Sequence, residues 1–410
     1  MDAINAGDTA WVLMSAALVM LMTPALGFFY GGLVQRKNVL STIMHSFFIL
    51  ALISVQWVLW GFSLAFAPGG AFIGGLDHIM LRGVGMEPNP TYAGTIPFNL
   101  FMVFQLMFAA ITPALITGAF AERKRFKAMV VFTLLWATFV YAPVAHWVWS
   151  PDGWLFKLGA LDFAGGTVVH ITSGVSALVA AMVLGKRIGF GTEPLEPHNL
   201  TYTVLGAALL WFGWFGFNAG SSLGANALAA NAFVVTNTAA AMGALTWMTV
   251  SWIRHGQPSV LGAAAGAVAG LVGITPAAGF VDASAAIIIG LAAGICCFSA
   301  VDLLKKVIKV DDALDVFAVH GVGGIVGALA TGLFAQEAIR GLPNTNGLFY
   351  GAPEQFVKQV IAVVVVAAFA AAVTWIILKV VSVTVGLRVP EEEEVLGLDS
   401  TTHGEAAYQL

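Results

Sequence analysis

Charge is scarce in this chain: only 10% of its 410 residues are Asp, Glu, Lys or Arg, against roughly 25% in a soluble globular protein. So few charges cannot clothe a solvated surface of this size, which excludes a soluble enzyme. The net charge of −4 provides no basic field, so nucleic acid is excluded as a partner. Cysteine is nearly absent. Cys296 and Cys297 are adjacent in an apolar run, where helical neighbours point apart, so neither a disulfide nor a thiolate metal site is expected. The residues from Met1 to Asp8 lack the basic stretch of a cleaved signal peptide, and the first helix is expected to be retained.

What the chain has is hydrocarbon. Hydrophobic residues make up 59% of it and the mean hydropathy is +0.88. Runs of membrane-spanning length fall at about 10–34, 40–66, 98–120, 127–148, 163–185, 200–221, 229–253, 259–278, 283–304, 314–335 and 356–386. The expected fold is an all-α polytopic membrane protein with eleven transmembrane helices. Fourteen Lys and Arg residues fall in one set of loops or at its helix ends, against Arg82, Lys157, Arg340 and Lys358 on the other side. The excess places the N-terminus outside and the C-terminus in the cytoplasm. Residues 1–387 form the transmembrane domain and 388–410 a cytoplasmic tail. Four consecutive glutamates, Glu391 to Glu394, open that tail, which reads either as free acidic chain or as a docked segment using Leu396, Leu398 and Tyr408.

Two histidines lie deep in apolar runs, and each comes eight residues after an aspartate: Asp162 with His170, and Asp312 with His320. Eight helical residues rise about 12 Å, nearly half of a roughly 30 Å hydrocarbon core. The fifth helix runs inward and the tenth outward, so the two rings are approached from opposite faces. This suits inverted repeats of helices 1–5 and 6–10, with the long helix 356–386 outside the repeat. An intramembrane ionisable residue marks a functional site. Neutral imidazole carries one donor and one acceptor, and two rings sharing a proton suit a pathway for a small polar permeant. A pair of packing histidines and a haem-ligating pair are the competing readings. Asp162 is either a helix cap or a vestibule support, and Asp311, Asp312 and Asp315 read as capping and ion-pairing groups.

Aromatic residues gather towards the outer side. Phe104 and Phe108 share a helix face, Trp147 and Trp149 end the fourth helix, and Trp211, Phe212, Trp214, Phe215 and Phe217 crowd the sixth. Most fit an interfacial belt; a subset facing a pore would hold a cation over its rings.

The segments Leu161 to His170, Trp214 to Ser221 and Asp315 to Gly321, with Gly27 to Gly32 and Gly386 to Pro390, resemble signature stretches of the Amt/Mep/Rh ammonium transporters, in their bacterial Amt branch. The resemblance spans essentially the whole chain. It implies a homotrimer in the inner (plasma) membrane with one pore per subunit, taking up ammonium for nitrogen supply, with methylammonium as analogue. It also implies no enzymatic activity, no cofactor and no metal. His170 and His320 match the twin pore histidines, and Phe108 and Phe217 the stacked gate. Phe108, Trp149 and Ser221, with Phe104 one turn away, match the outer recruitment site, and Asp162 the aspartate beneath it. The tail resembles those that dock a PII-type signal protein. An alternative use of the same pore is an ammonium sensor, or transceptor, signalling through that tail.

Overall fold

The computed structural model describes residues 4–408. Among the described residues, ten helices are long and apolar enough to cross a membrane: α1 Ala6–Leu33, α2 Arg36–Phe66, α3 Phe98–Phe120, α4 Phe126–Leu158, α5 Gly166–Leu184, α6 Leu200–Ser222, α7 Ala227–His255, α9 Ala283–Ile308, α10 Phe317–Phe334 and α11 Pro353–Thr384. Between α7 and α9 runs a shorter apolar helix, α8 Val260–Ile274. Its expected extension to residue 278 is instead a set of tight turns, in which Ala277 N–H donates to Ile274 O and Phe280 N–H to Ala277 O. That irregular stretch frees Pro276 O to accept from Phe163 N–H at 3.1 Å, so it supports the chain entering α5.

Backbone groups left unpaired in hydrocarbon are costly, so helices supply nearly all of this structure. Association among such helices relies on small residues that let backbones approach. A Cβ added at Gly206 on α6 would sit 2.3 Å from Phe29 N on α1. The remaining chain is local. A short antiparallel pair, Pro88–Asn89 with Ala93–Pro97, lies in the long connection between α2 and α3. Cys297 is buried and Cys296 exposed, and both are free.

The end of the molecule rich in Lys and Arg is locked by a buried ion network. Arg187 directs its guanidinium to Asp311 at 2.8 Å and to Glu122 at 2.6 Å, and Glu122 also accepts from Gln35 N–H and Asn38 Nδ2. Burial alone would raise the Asp311 carboxyl, but the Arg187 fork and the Arg123 charge hold it below its usual value. Such a group contributes stability above the unfolded carboxylate range, and the contribution is lost as pH falls through the lowered value. Arg187→Lys keeps the charge but cannot reach both carboxylates in plane. Thermal unfolding in detergent is expected to show a loss of about 1–3 kcal/mol; an unchanged midpoint would remove this network from the stabilising set.

The tail beyond Arg388 is not free acidic chain. Two short helices, α12 Glu391–Leu396 and α13 Leu398–His403, pack back on the basic end. Glu394 alone of the four glutamates is buried, at 5% exposure. It takes a forked contact from Arg388 at 2.8 and 2.9 Å and accepts from Ile188 N–H. Asp399 caps the start of α2 by accepting from Leu40 N–H and Ser41 N–H. Of the suggested docking residues, Leu398 is buried and Tyr408 pairs with His198 at 3.0 Å, whereas Leu396 is 60% exposed.

Candidate functional site

His170 and His320 meet. Their Nδ1 atoms are 3.2 Å apart and the ring planes differ by 22°. Only one Nδ1 can carry the proton of that contact, so the two neutral rings hold opposite tautomers. Both side chains are buried, at 1% and 4% exposure.

The eight-residue spacing is not eight residues of helix. Asp162 lies in an irregular stretch, and α5 begins only at Gly166, so His170 stands about 6 Å along the axis from the helix start. That first turn is π-helical: His170 N–H donates to Gly165 O, five residues back. α10 opens with a π-turn over Phe317–Gly321 as well. Such turns insert one residue, rotate the side chains beyond them, and occur often at functional sites.

The two aspartates build matching entrances. Asp162 accepts from Thr167 N–H at 2.8 Å and Asp312 from Phe317 N–H at 2.7 Å, both five residues on. Three residues after each aspartate the chain turns left-handed, at Gly165 (φ +116°) and Asp315 (φ +59°). Asp162 is the more heavily engaged. It also accepts from Gly165, Gly166 and Val168 N–H and from the Thr167 hydroxyl. Every lone pair faces a donor, so it serves as cap and scaffold at once. Asp315 pairs with Lys305 at 2.7 Å, and burial, with the Asp315 charge, pushes the Asp312 carboxyl up to about 7.

Around the histidines lies a narrow apolar void lined by Met22, Leu26, Phe29, Ile111, Leu115, Val169, Leu210, Trp214, Phe217 and Val268. Space for the centre of a water-sized particle is about 10 Å³, near the least that admits one small molecule. Among the described residues, His170 Nε2 has no hydrogen-bond partner. Trp214 stacks on His170 at 5.6 Å and 20°, with its indole N–H on Thr275 Oγ1. Trp214 is therefore part of the lumen wall and not of an interfacial belt. Its place among five aromatics gave no sign of this, since only the rotation of α6 separates it from exposed Phe212.

Phe217 and Phe108 close the void, their ring centres 4.4 Å apart. Beyond them opens a vestibule of about 640 Å³, lined among others by Phe104, Phe108, Trp149, Asp162 and Ser221. Trp149 stands edge-on to Phe108 at 5.9 Å, its indole N–H fixed by Asp162 O at 3.1 Å. Ser221 donates to Phe217 O, leaving its oxygen lone pairs for a cation. The eight residues matched to a pore by the family resemblance thus form one continuous series: vestibule, ring pair, histidine pair.

The sequence profile of the Ammonium Transporter Family matches residues 10–408. The chain belongs to that family, and it transports ammonium. It is 56% identical over 403 residues to the ammonium transporter of Bacillus subtilis, covering 98% of each chain. Identity to Ammonium transporter Amt1 of Archaeoglobus fulgidus is 50%, covering 98% of this chain and 99% of that one. The crystal structure of Saccharomyces cerevisiae Mep2 superposes with a TM-score of 0.89 at 40% identity, over 95% of this chain and 88% of that one. Family membership settles a multi-pass membrane transporter.

Proposed function

We propose that the vestibule recruits ammonium, that the phenylalanine pair admits it, and that it crosses the histidine-lined void as ammonia. The Nδ1 to Nδ1 contact inside an apolar void carries this reading. A desolvated cation gains about 2 kcal/mol over an aromatic face, which Trp149, Phe108 and Phe104 offer beside the Ser221 oxygen. A charge at the bilayer centre costs at least about 2.5–3.5 kcal/mol, and potassium cannot lower that cost by shedding a proton. Ammonium can. Asp162 is a poor acceptor because its oxygens are already occupied, so the proton passes to the open Nε2 of His170. From there it moves across Nδ1 to His320, whose own Nε2 proton leaves on the far side, while ammonia moves through the void.

In this reading all eleven apolar helices cross the membrane, with the N-terminus outside and the tail in the cytoplasm. Helices α1–α5 and α6–α10 form inverted repeats, and the matched aspartate turns and π-turns support that pairing. We place the protein in the cell's inner (plasma) membrane as a homotrimer, without enzymatic activity. Residues 388–410 then form a cytoplasmic regulatory tail for a PII-type signal protein. The tail's contacts with the start of α2 and with the α5–α6 connection also support the sensor alternative. One solved relative, at 31% identity with a TM-score of 0.89 over 97% of this chain and 98% of that one, is described as a Sensor Amt Protein.

Charge movement tests the proton route. Adding ammonium to vesicles containing the protein is expected to give an inward current that saturates with concentration, and Trp149→Leu is expected to shift its half-saturation upward about tenfold. Uptake without current would replace the relay by passive ammonia flow.

A further inference from the structure

The long helix α11 buries three polar side chains in an otherwise apolar face: Gln355, Gln359 and Thr374 are 1%, 0% and 0% exposed. A buried amide is tolerated only when its donors and acceptor are used. Those of Gln359 go to one place. Its Oε1 accepts from Leu161 N–H at 2.7 Å, and its Nε2 donates to Leu161 O at 2.8 Å and to Ala328 O at 3.0 Å. One side chain therefore holds both backbone polar groups of the residue before Asp162. The same amide binds α10 two turns beyond His320.

The segment it holds has no helical ladder to hold itself. Gly159 and Gly165 bound it in left-handed conformations, and Gln355 donates to Gly159 O at 2.9 Å, one helical turn before Gln359. From Leu161 the chain passes straight to Asp162, whose carbonyl fixes the Trp149 indole and whose carboxylate starts α5. A shift at Leu161 is thus transmitted to both the cation-facing ring and the helix carrying His170.

We propose that Gln359 is a positioning residue for the outer cation site, setting where Trp149 and Asp162 stand although it touches neither. This assigns a task to a helix that lies outside the proposed repeat: it supplies the amide that neither half provides. The inference rests on the reading of Trp149 as part of the recruitment site.

The test is methylammonium uptake against concentration in cells lacking their own ammonium transporters, normalised to protein in the membrane. Gln359→Leu is expected to raise KM about tenfold with Vmax within about twofold. Gln359→Glu, which keeps the acceptor for Leu161 N–H but turns a second acceptor oxygen on Leu161 O and Ala328 O, is expected to raise KM at least as much and serves if the leucine variant fails to reach the membrane. Thr374→Val, also on α11, removes buried contacts to Trp136 on α4 and Ser176 on α5 and is expected to leave KM unchanged. Because Gln359 acts through Trp149, the double variant with Trp149→Leu should have a KM no higher than Trp149→Leu alone.

If Gln359→Leu lowers Vmax with KM unchanged, or if Thr374→Val raises KM equally, Gln359 is a helix brace and the proposal fails. If Trp149→Leu itself leaves KM unchanged while Gln359→Leu raises it, the recruitment reading fails, and Gln359 acts by some other path.

Discussion

His170→Ala is expected to lower methylammonium uptake by about 10- to 100-fold while the protein reaches the membrane in normal amount. The truncation strips His320 of the Nδ1 contact at 3.2 Å and leaves its ring nitrogen facing an apolar void. An unsatisfied buried polar group costs about 1–3 kcal/mol, and the permeant loses one of the two partners that replace its water. His320→Ala is expected to act in the same direction, and the double variant to lose little more, because either single change already destroys the shared proton. His170→Asn separates two roles: its amide can still hydrogen-bond, but it cannot accept a proton at one atom and release it at another. Uptake retained with the current abolished would assign the ring to proton relay. Uptake and current both unchanged in His170→Ala would refute the pore assignment.

Much of this arrangement was legible because membranes allow few solutions. Long apolar runs must be helices, and two ionisable residues in such runs stand out at once. The matched aspartates also carried over, as two entrances built from the same i to i+5 cap. The eight-residue helical rise from Asp162 to His170 did not carry over, because the chain from Asp162 to Gly165 is irregular and the next turn is π-helical. Side-chain periodicity does not encode that register; it is set by packing against Pro276 and α10. The tail reads as either free or docked chain for a different reason. Four consecutive glutamates look uniformly solvated, yet Glu394 is buried by Arg388 and Ile188, and no local pattern marks it among its neighbours. Gln359 was equally invisible, since the backbone it satisfies lies 198 residues away.

Gly174→Ala is expected to reduce uptake more than tenfold through a single methyl group that touches no substrate. Gly174 and Gly324 each lie four residues beyond a histidine and face the other histidine's helix. A Cβ on Gly174 would lie 2.1 Å from Gly321 N and 2.3 Å from its Cα, and one on Gly324 would lie 2.9 Å from Gly166 O and 3.0 Å from His170 Cβ. At Gly174 the obstacle is backbone, which cannot rotate aside, so α5 and α10 must separate by about 1 Å to restore ordinary contact. The Nδ1 to Nδ1 distance of 3.2 Å would then exceed hydrogen-bonding range. Overpacking of this kind commonly costs about 1–3 kcal/mol, which a bundle with many other contacts survives, so the folded protein should remain while the histidine contact is lost. Gly323→Ala provides the contrast. Its Cβ would meet Val272 Cγ1 at 2.9 Å and Cys297 Sγ at 3.3 Å, and these are side-chain tips that can yield, so uptake should stay within about twofold of wild type. Equal activity in the two alanine variants would mean that the close crossing of α5 and α10 does not set the histidine spacing.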